Sequence, residues 1–245
     1  MKKSLLSIII PSYNESAYIK RCLENVIHAD TSPWKKEIIV IDDGSTDETI
    51  QVVKELQKEH DEILLIKNEK NIGKGASVKN GIKNANGEIL IIQDADLEYD
   101  PSDYQKILEK YQNEKINVVY GSRILGAKIY NNYSANLIFY LGGITLTALV
   151  NFFLKTKITD QPTGYKSWRT EFSSEILKFC KSNQFAFEIE LTGYFAKKGE
   201  KIVEVPIHYY PRTVSHGKKI GLKDFLASIL MLSRVRSRKI PSHKE

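Results

Sequence analysis

Leu5-Leu6-Ser7-Ile8-Ile9-Ile10-Pro11-Ser12-Tyr13-Asn14-Glu15 is the stretch that decides the fold class. Residues 5–10 are leucine and isoleucine broken only by Ser7, too short a run for a helix and stopped by Pro11. A strand this continuously apolar is buried on both faces, which is the signature of a parallel sheet covered by helices. Working outward, residues 37–41, 63–66, 89–92 and 118–120 form similar short apolar runs. Stretches of helical length lie between them at 15–29, 46–60, 74–85 and 101–114. The alternation predicts an α/β fold, a doubly wound and mostly parallel sheet with helices on both faces. Such sheets bind ligands beyond the carboxyl ends of their strands. No internal repeat is evident.

The chain has 245 residues, 42% hydrophobic and 27% charged, enough to bury a full core and to exclude wholesale disorder. Its 14 glycines and 7 prolines exclude a collagen-like or low-complexity chain. Cys22 and Cys180 lie far apart with no metal-knuckle spacing, and Met1-Lys2-Lys3 leads straight into the first strand without a signal peptide. A reduced, cytosolic compartment is the expectation.

The net charge of +6 is unevenly placed. Residues 212–245 hold nine Lys/Arg against Asp224 and Glu245, so this segment carries +7 and the rest of the chain −1. One basic contact zone, rather than a surface coated for nucleic acid, is what this distribution implies, and lipid headgroups or phosphates suit it. From Lys128 to Lys155 no charged residue intervenes. Residues 135–154 are fourteen-twentieths apolar, the exceptions being Asn136, Gly142, Gly143, Thr145, Thr147 and Asn151. Twenty uncharged residues can span a bilayer. The asparagines and paired glycines favour instead a membrane-interface segment over 131–155, with buried core helices as the next reading. Leu222, Phe225, Leu226, Ile229 and Leu230 share one helical face ahead of Arg234, Arg236, Arg238 and Lys239, and this predicts a basic amphipathic tail over 221–245 that meets anionic lipid.

Three strand ends finish in carboxylates: Glu15, Asp42-Asp43 and Asp94-Ala95-Asp96. One such acid is commonly a cap or turn residue, as Asp47 is expected to be. Three clusters at one sheet edge repel unless they share a cation or hydrogen-bond donors. Asp-x-Asp after a buried strand supplies hard oxygen ligands for Mg²⁺ or Mn²⁺, ions that bridge to substrate phosphates. Both carboxylates can serve only if the chain turns there, because alternate residues of a strand point to opposite faces. Asn71-Ile72-Gly73-Lys74-Gly75 offers flexible backbone and a cation at a helix start, suited to a phosphate or nucleotide. Neither a P-loop nor Gly-x-Gly-x-x-Gly is present, so a dinucleotide dehydrogenase is disfavoured.

The motifs Pro11-Ser12-Tyr13-Asn14-Glu15, Ile41-Asp42-Asp43-Gly44-Ser45-Thr46-Asp47, Gly73-Lys74-Gly75, Asp94-Ala95-Asp96-Leu97 and Gly121-Ser122-Arg123 occur in the order and spacing of the family 2 glycosyltransferases, which this chain resembles over about residues 4–225. Phe187-Glu188-Ile189-Glu190, Val205-Pro206-Ile207, Tyr210, Arg212 and Gly217-Lys218-Lys219-Ile220 are similar to the downstream pattern. Within the family the polyprenyl-phosphate (dolichyl-phosphate) mannose and glucose synthases are most similar. The resemblance implies a GT-A catalytic domain over residues 1–220. Pro11, Tyr13, Glu15 and Asp42 match nucleoside-holding positions, with Asp43 and Lys74 close by. Asp94, with Ala95 beside it, matches the first Asp of the Asp-x-Asp, near ribose and sugar. Asp96 matches the metal-binding Asp, and Glu98 the next ligand position, where many relatives carry Gln. Arg123 matches a basic residue facing an acceptor phosphate, and Arg212 and Lys218 the pair closing over the diphosphate. Relatives that make lipid-linked sugars usually carry arginines where this chain has Asn131-Asn132-Tyr133.

The expectation that follows is an inverting transfer of a hexose from a UDP-glucose- or GDP-mannose-type donor to a polyprenyl phosphate, aided by Mg²⁺ or Mn²⁺, at the cytoplasmic face of a membrane. A lipid phosphate is already an anion and needs no general base. A saccharide or protein hydroxyl would need one, and Glu188 is the candidate. A non-catalytic membrane-recruitment module and a nucleotidyltransferase remain as rivals.

Overall fold

A computed structural model describes residues 4–127, 129–132, 137–212 and 222–241, without the side chains of residues 138, 139 and 222–226. The chain runs β1 (Leu5–Ser12), α1 (Ile19–His28), β2 (Lys35–Asp42), α2 (Thr49–Gln57), β3 (Ile63–Lys67), α3 (Lys74–Asn84), β4 (Ile89–Ile92), α4 (Tyr104–Lys110), β5 (Val118–Ser122), α5 (Arg123–Ala127), α6 (Leu137–Leu154), β6 (Lys166–Arg169), α7 (Ser173–Phe179), α8 (Phe187–Lys198), β7 (Ile202–Pro206) and α9 (Leu222–Ser237). The seven strands form one sheet in the order β3-β2-β1-β4-β6-β5-β7. All neighbours are parallel except β6, which enters between β4 and β5 in the opposite sense. The five expected strands and four expected helices are present; β6 and β7 are additions that the apolar-run criterion passed over.

Strand alternation sorts the aliphatic side chains into two cores. Ile9, Ile39, Ile41, Leu90 and Ile92 pack with α3 and α6 to α9 on one face. Leu6, Ile8, Ile10, Ile38, Val40, Ile89 and Ile91 pack with α1, α2 and α4 on the other. Each fully buried side chain of this kind contributes about 1.5–3 kcal/mol, so the parallel centre is the stable frame of the molecule. Ser12 stands in register with Asp42, and Gln93 N–H donates to Ile9 O, so the carboxyl ends of β1, β2 and β4 open on one edge.

α6 has two faces. Leu146 and Val150 enter the core beside α8 and α9. On the same side, Thr147 Oγ1 accepts from Gln161 N–H at 3.0 Å and donates to Gly143 O at 2.8 Å. Asn151 accepts from Ile158 N–H at 3.0 Å and donates to Ile158 O at 2.8 Å. Asn151, one of the residues that weakened the case for a span, therefore grips the connection to β6 together with Thr147. The opposite side exposes Leu137, Leu141, Ile144 and Phe152. Eighteen residues reach about 27 Å, short of a hydrocarbon core of about 30 Å. Among the described residues no helix is long and apolar enough to cross a membrane.

The C-terminal segment, set apart above as a tail, packs on the same body. Met231, Leu232 and Val235 of α9 are core residues, and a side chain at Gly193 of α8 would collide with Val235. Arg238 donates to Glu190 Oε1 at 2.5 Å and to Phe179 O at 2.6 Å. Leu230, Arg234 and Arg236 are exposed.

Candidate active site

The loops after β1 and β2 are laced into one floor. Asn14 N–H donates to Ser45 Oγ at 2.9 Å, Thr46 N–H to Asn14 Oδ1 at 2.9 Å, and Glu15 N–H to Thr49 Oγ1 at 2.9 Å. Asp47 caps this turn as expected, accepting from the Thr49 and Ser16 amides. Pro11 and Tyr13 are half-buried on this floor. Asp42 Oδ2 accepts from Gly44 and Ser45 N–H at 3.1 and 3.0 Å. Its Oδ1 and the Ser12 hydroxyl are buried with no hydrogen-bond partner in the described structure. Two orphaned polar groups in register at a strand edge are costly, and such groups mark places where a ligand completes the bonding.

Asp43 is wholly used in shaping the next loop. It accepts from Asn68 Nδ2 at 2.9 Å, Ile72 N–H at 3.1 Å and Gly73 N–H at 2.8 Å. Gly73 has φ of 101°, and a Cβ there would run into Asn183 O, so only glycine serves at this helix start. The next residue, Lys74, does not point freely toward a phosphate. Its Nζ lies 2.7 Å from Asp94 Oδ1 and 2.8 Å from Glu188 Oε1.

The chain turns just beyond Asp-x-Asp, at Leu97, a non-glycine residue with φ of 61°. Glu98 N–H donates back across it to Asp96 Oδ1 at 3.1 Å, and one guanidinium reaches both acids. Arg212 fills the space between them. Its Nη2 is 2.7 Å from Asp96 Oδ2, Nη1 is 3.5 Å from Glu15 Oε2, and Nε is 3.6 Å from Glu98 Oε1. The guanidinium also stacks on Tyr18 at 5.3 Å. Glu98 Oε2 accepts from Tyr209 OH at 2.7 Å. Burial, with Asp94 and Glu98 alongside, pushes the Asp96 carboxyl up to about 7, although Arg212 pulls the other way. Among the described residues no three acids or histidines are arranged around a common ion position. Two hard carboxylates on one turn nevertheless match what Mg²⁺ or Mn²⁺ takes from protein when substrate phosphates complete its shell.

Across the sheet Arg123 begins α5 and is closed by Asp160. Nε and Nη2 each lie 2.7 Å from an Asp160 oxygen, and the Arg123 amide donates to Oδ2 at 2.9 Å. The guanidinium also lies 4.9 Å from the Tyr209 ring. Asn132, in place of an arginine, is structural: it donates to Ile207 O at 2.8 Å and accepts from Tyr209 N–H at 3.0 Å. Glu188, at the start of α8, is held on both oxygens by Lys74 and, at 3.2 Å, by Lys166. Burial works against its ionisation, but Lys166 and Lys74 prevail and hold its carboxyl down at about 2. Lys218 lies outside the described residues.

Sequence reasoning missed Asp160, Gln161 and Lys166. Their signal was Asp160-Gln161-Pro162-Thr163-Gly164-Tyr165-Lys166, a turn-rich run carrying an acid and a lysine straight into a strand.

A sheet of this order is that of the GT-A fold, and sequence comparison names the family. The chain belongs to "Glycosyl transferase family 2", whose profile matches residues 7–177, and it is a glycosyltransferase. It is 33% identical over 242 residues to a dolichyl N-acetyl-alpha-D-glucosaminyl phosphate 3-beta-D-2,3-diacetamido-2,3-dideoxy-beta-D-glucuronosyltransferase of Methanococcus voltae, across 89% of this chain and 74% of that one. An uncharacterized protein of Methanocaldococcus jannaschii is 30% identical over 219 residues, covering 85% and 90% of the two chains. Among solved structures, glucosyl-3-phosphoglycerate synthase of Mycobacterium tuberculosis with Mn²⁺, UDP-glucose and phosphoglyceric acid superposes with a TM-score of 0.69 at 17% identity, over 99% of this chain and 82% of that one. A mannosyltransferase of Pyrobaculum calidifontis with GDP-Man and Mn²⁺ gives 0.66 at 17%, over 96% and 65%. At these identities the structural likeness speaks for the fold.

Proposed function

We propose that this glycosyltransferase moves a hexose from a nucleotide-diphospho-sugar to a polyprenyl phosphate, with inversion, while resting on the cytoplasmic face of a membrane. The observation that carries the acceptor half is the state of Glu188. A hydroxyl acceptor needs a carboxylate able to take a proton, and Glu188 has both oxygens engaged by lysines and its carboxyl held at about 2. Asp160 is likewise engaged, by Arg123. An acceptor that arrives as an anion has no proton to lose.

In this reading Pro11, Tyr13, Glu15 and Asp42 hold the nucleoside, the orphaned Asp42 Oδ1 and Ser12 hydroxyl being the groups a base would satisfy. Asp94 and Ala95 border the ribose and sugar. Asp43 acts one step back, through the 68–73 loop that seats Lys74. Asp96 and Glu98 would hold Mg²⁺ or Mn²⁺, whose charge offsets that of the departing diphosphate. Arg212 and Lys218 serve the diphosphate. Arg123 faces the acceptor phosphate with the part of its guanidinium that Asp160 leaves over. The outer stripe of α6, with exposed Arg234 and Arg236 on the neighbouring α9, supports contact with lipid whose headgroups are anionic.

The test is a transfer assay with Mg²⁺ or Mn²⁺, offering UDP-glucose, UDP-galactose, UDP-N-acetylglucosamine and GDP-mannose against a polyprenyl phosphate in detergent. Label entering the organic phase from one donor is the expected result. A second reading is favoured by one observation, the name of the Methanococcus voltae relative, which describes transfer onto a dolichyl-phosphate-linked sugar. There the acceptor is a sugar hydroxyl on the same kind of carrier. Transfer only to a polyprenyl-phospho-sugar, and none to polyprenyl phosphate, would decide for it.

A further inference from the structure

Lys166 is 0% exposed, the first residue of β6, paired with Tyr120 of β5 near the catalytic edge. A buried ammonium is expensive unless its donors are taken. Its three are, by Gln161 O at 2.9 Å, by Thr163 O, and by Glu188 Oε2 at 3.2 Å. Glu188 passes the contact to Lys74, and Lys74 to Asp94, so four ionisable groups of alternating sign form one row, Lys166–Glu188–Lys74–Asp94, in which burial pushes the pKa of the Lys166 ammonium down and the Glu188 carboxylate pulls it back up. The turn that Lys166 holds bears on both halves of the site. Its Asp160 grips Arg123, and its Gly164 lies so close to Asp94 that a Cβ would strike Asp94 Oδ2.

We propose that Lys166 is a positioning residue for the transfer. From inside the sheet it fixes the Glu188 carboxylate against Lys74, and Lys74 in turn fixes Asp94, while its remaining donors set the 160–164 turn that carries Asp160. The inference rests on the donor site proposed above. It accounts for Glu188 as a link that balances two lysines rather than as a proton acceptor. Lys166 touches no group proposed to contact the donor directly; its loss reaches the donor site through Lys74 and Asp94, two and three contacts along the row.

The test compares wild type, Lys166→Met, Glu188→Gln and the double variant by donor turnover with UDP-glucose and GDP-mannose (transfer or slow hydrolysis), by donor KM, and by urea unfolding. Lys166→Met lowers kcat by about 100-fold, the scale of a displaced reacting group, and raises donor KM through Lys74 and Asp94 by a smaller factor, about tenfold or less. The double variant removes one charge of each sign and regains about tenfold of that loss, which cannot happen if the Glu188 carboxylate is the base. In urea the two sites couple by tenfold or more in the folding equilibrium. A Lys166→Met enzyme within threefold of wild-type kcat overturns the proposal, as does a folded double variant no faster than Lys166→Met. Should Lys166→Met not fold, Glu188→Gln alone carries the test, and a folded Glu188→Gln enzyme within threefold of wild-type kcat overturns the row's part in positioning. An active wild type with additive unfolding energies overturns the charge row alone. A wild type that neither transfers nor hydrolyses any donor, with a coupled cycle, overturns the transferase reading and the positioning role but leaves the row.

Discussion

Replacing Leu141 and Phe152 by serine asks whether α6 lies on lipid. These side chains are 52% and 77% exposed on the outer stripe, while the inner side of the helix is occupied by the core and the 156–161 connection. Full burial of a Leu or Phe side chain is worth about 2 kcal/mol, so the exposed fractions of the pair amount to about 2.5 kcal/mol of membrane affinity. That difference is about 70-fold in a partition constant. Neither residue belongs to the core, so unfolding stability stays within about 0.5 kcal/mol of wild type. The assay is flotation of purified protein with vesicles of phosphatidylcholine alone and of phosphatidylcholine with one-third anionic lipid. Wild type rises with both and more with the second, where Arg234 and Arg236 add about 1 kcal/mol each at low salt. The variant remains at the bottom at the same lipid concentration. Equal flotation of the two proteins, or none of wild type, would refute the assignment of this face to lipid.

Other outcomes follow from the site. Asp96→Asn lowers turnover by about 100-fold or more and weakens Mn²⁺-dependent donor binding, measured by calorimetry with and without the ion. Asp160→Asn exchanges the carboxylate that grips the half-buried Arg123 guanidinium for a neutral amide and costs about 1–3 kcal/mol in urea unfolding. Glu188 has its folded carboxyl at about 2 against an ordinary 4.5, so the stability it contributes is complete above 4.5 and is lost as pH falls toward 2. That loss amounts to about 3 kcal/mol, and Glu188→Gln flattens that limb of a pH–stability profile followed by circular dichroism. Gly73→Ala meets both a left-handed φ and the Asn183 carbonyl, and lowers stability by about 2 kcal/mol or more on thermal unfolding.

The first half of the chain was legible because its strands are short apolar runs, broken only by Ser7 in β1, and because helices alternate with them. Asp42, Asp94 and Asp96 stand where strand ends put them. What stayed hidden depends on contacts distant in sequence. β6 carries Lys166 and Ser167 and so breaks the apolar pattern, yet it is central, its polar side chains satisfied by Gln161, Glu188 and Val119. The partners of Lys74 and Arg123, lying 114 and 37 residues away at Glu188 and Asp160, could not be read from spacing. Of the α9 stripe inferred from Leu222, Phe225, Leu226, Ile229 and Leu230, Ile229 is half-buried and Leu230 exposed, while Met231, Leu232 and Val235 face the core, since packing against α6 and α8 fixed the rotation that periodicity alone had left free.

The strand that runs the wrong way has a consequence for how such enzymes diversify. Because β6 returns antiparallel beside β5, the chain leaves the sheet after Ser122 and re-enters it at Lys166 on a neighbouring strand, opposite Tyr120. The excursion, with α5, α6 and Asp160, thus begins and ends on neighbouring strands, yet it is bound to the body along its length: Leu146 and Val150 sit in the core, Thr159 and Asp160 donate to Glu204, and Gly164 abuts Asp94. A relative's version of residues 123–165 can be carried over only together with the residues that receive it on α8, α9 and β7.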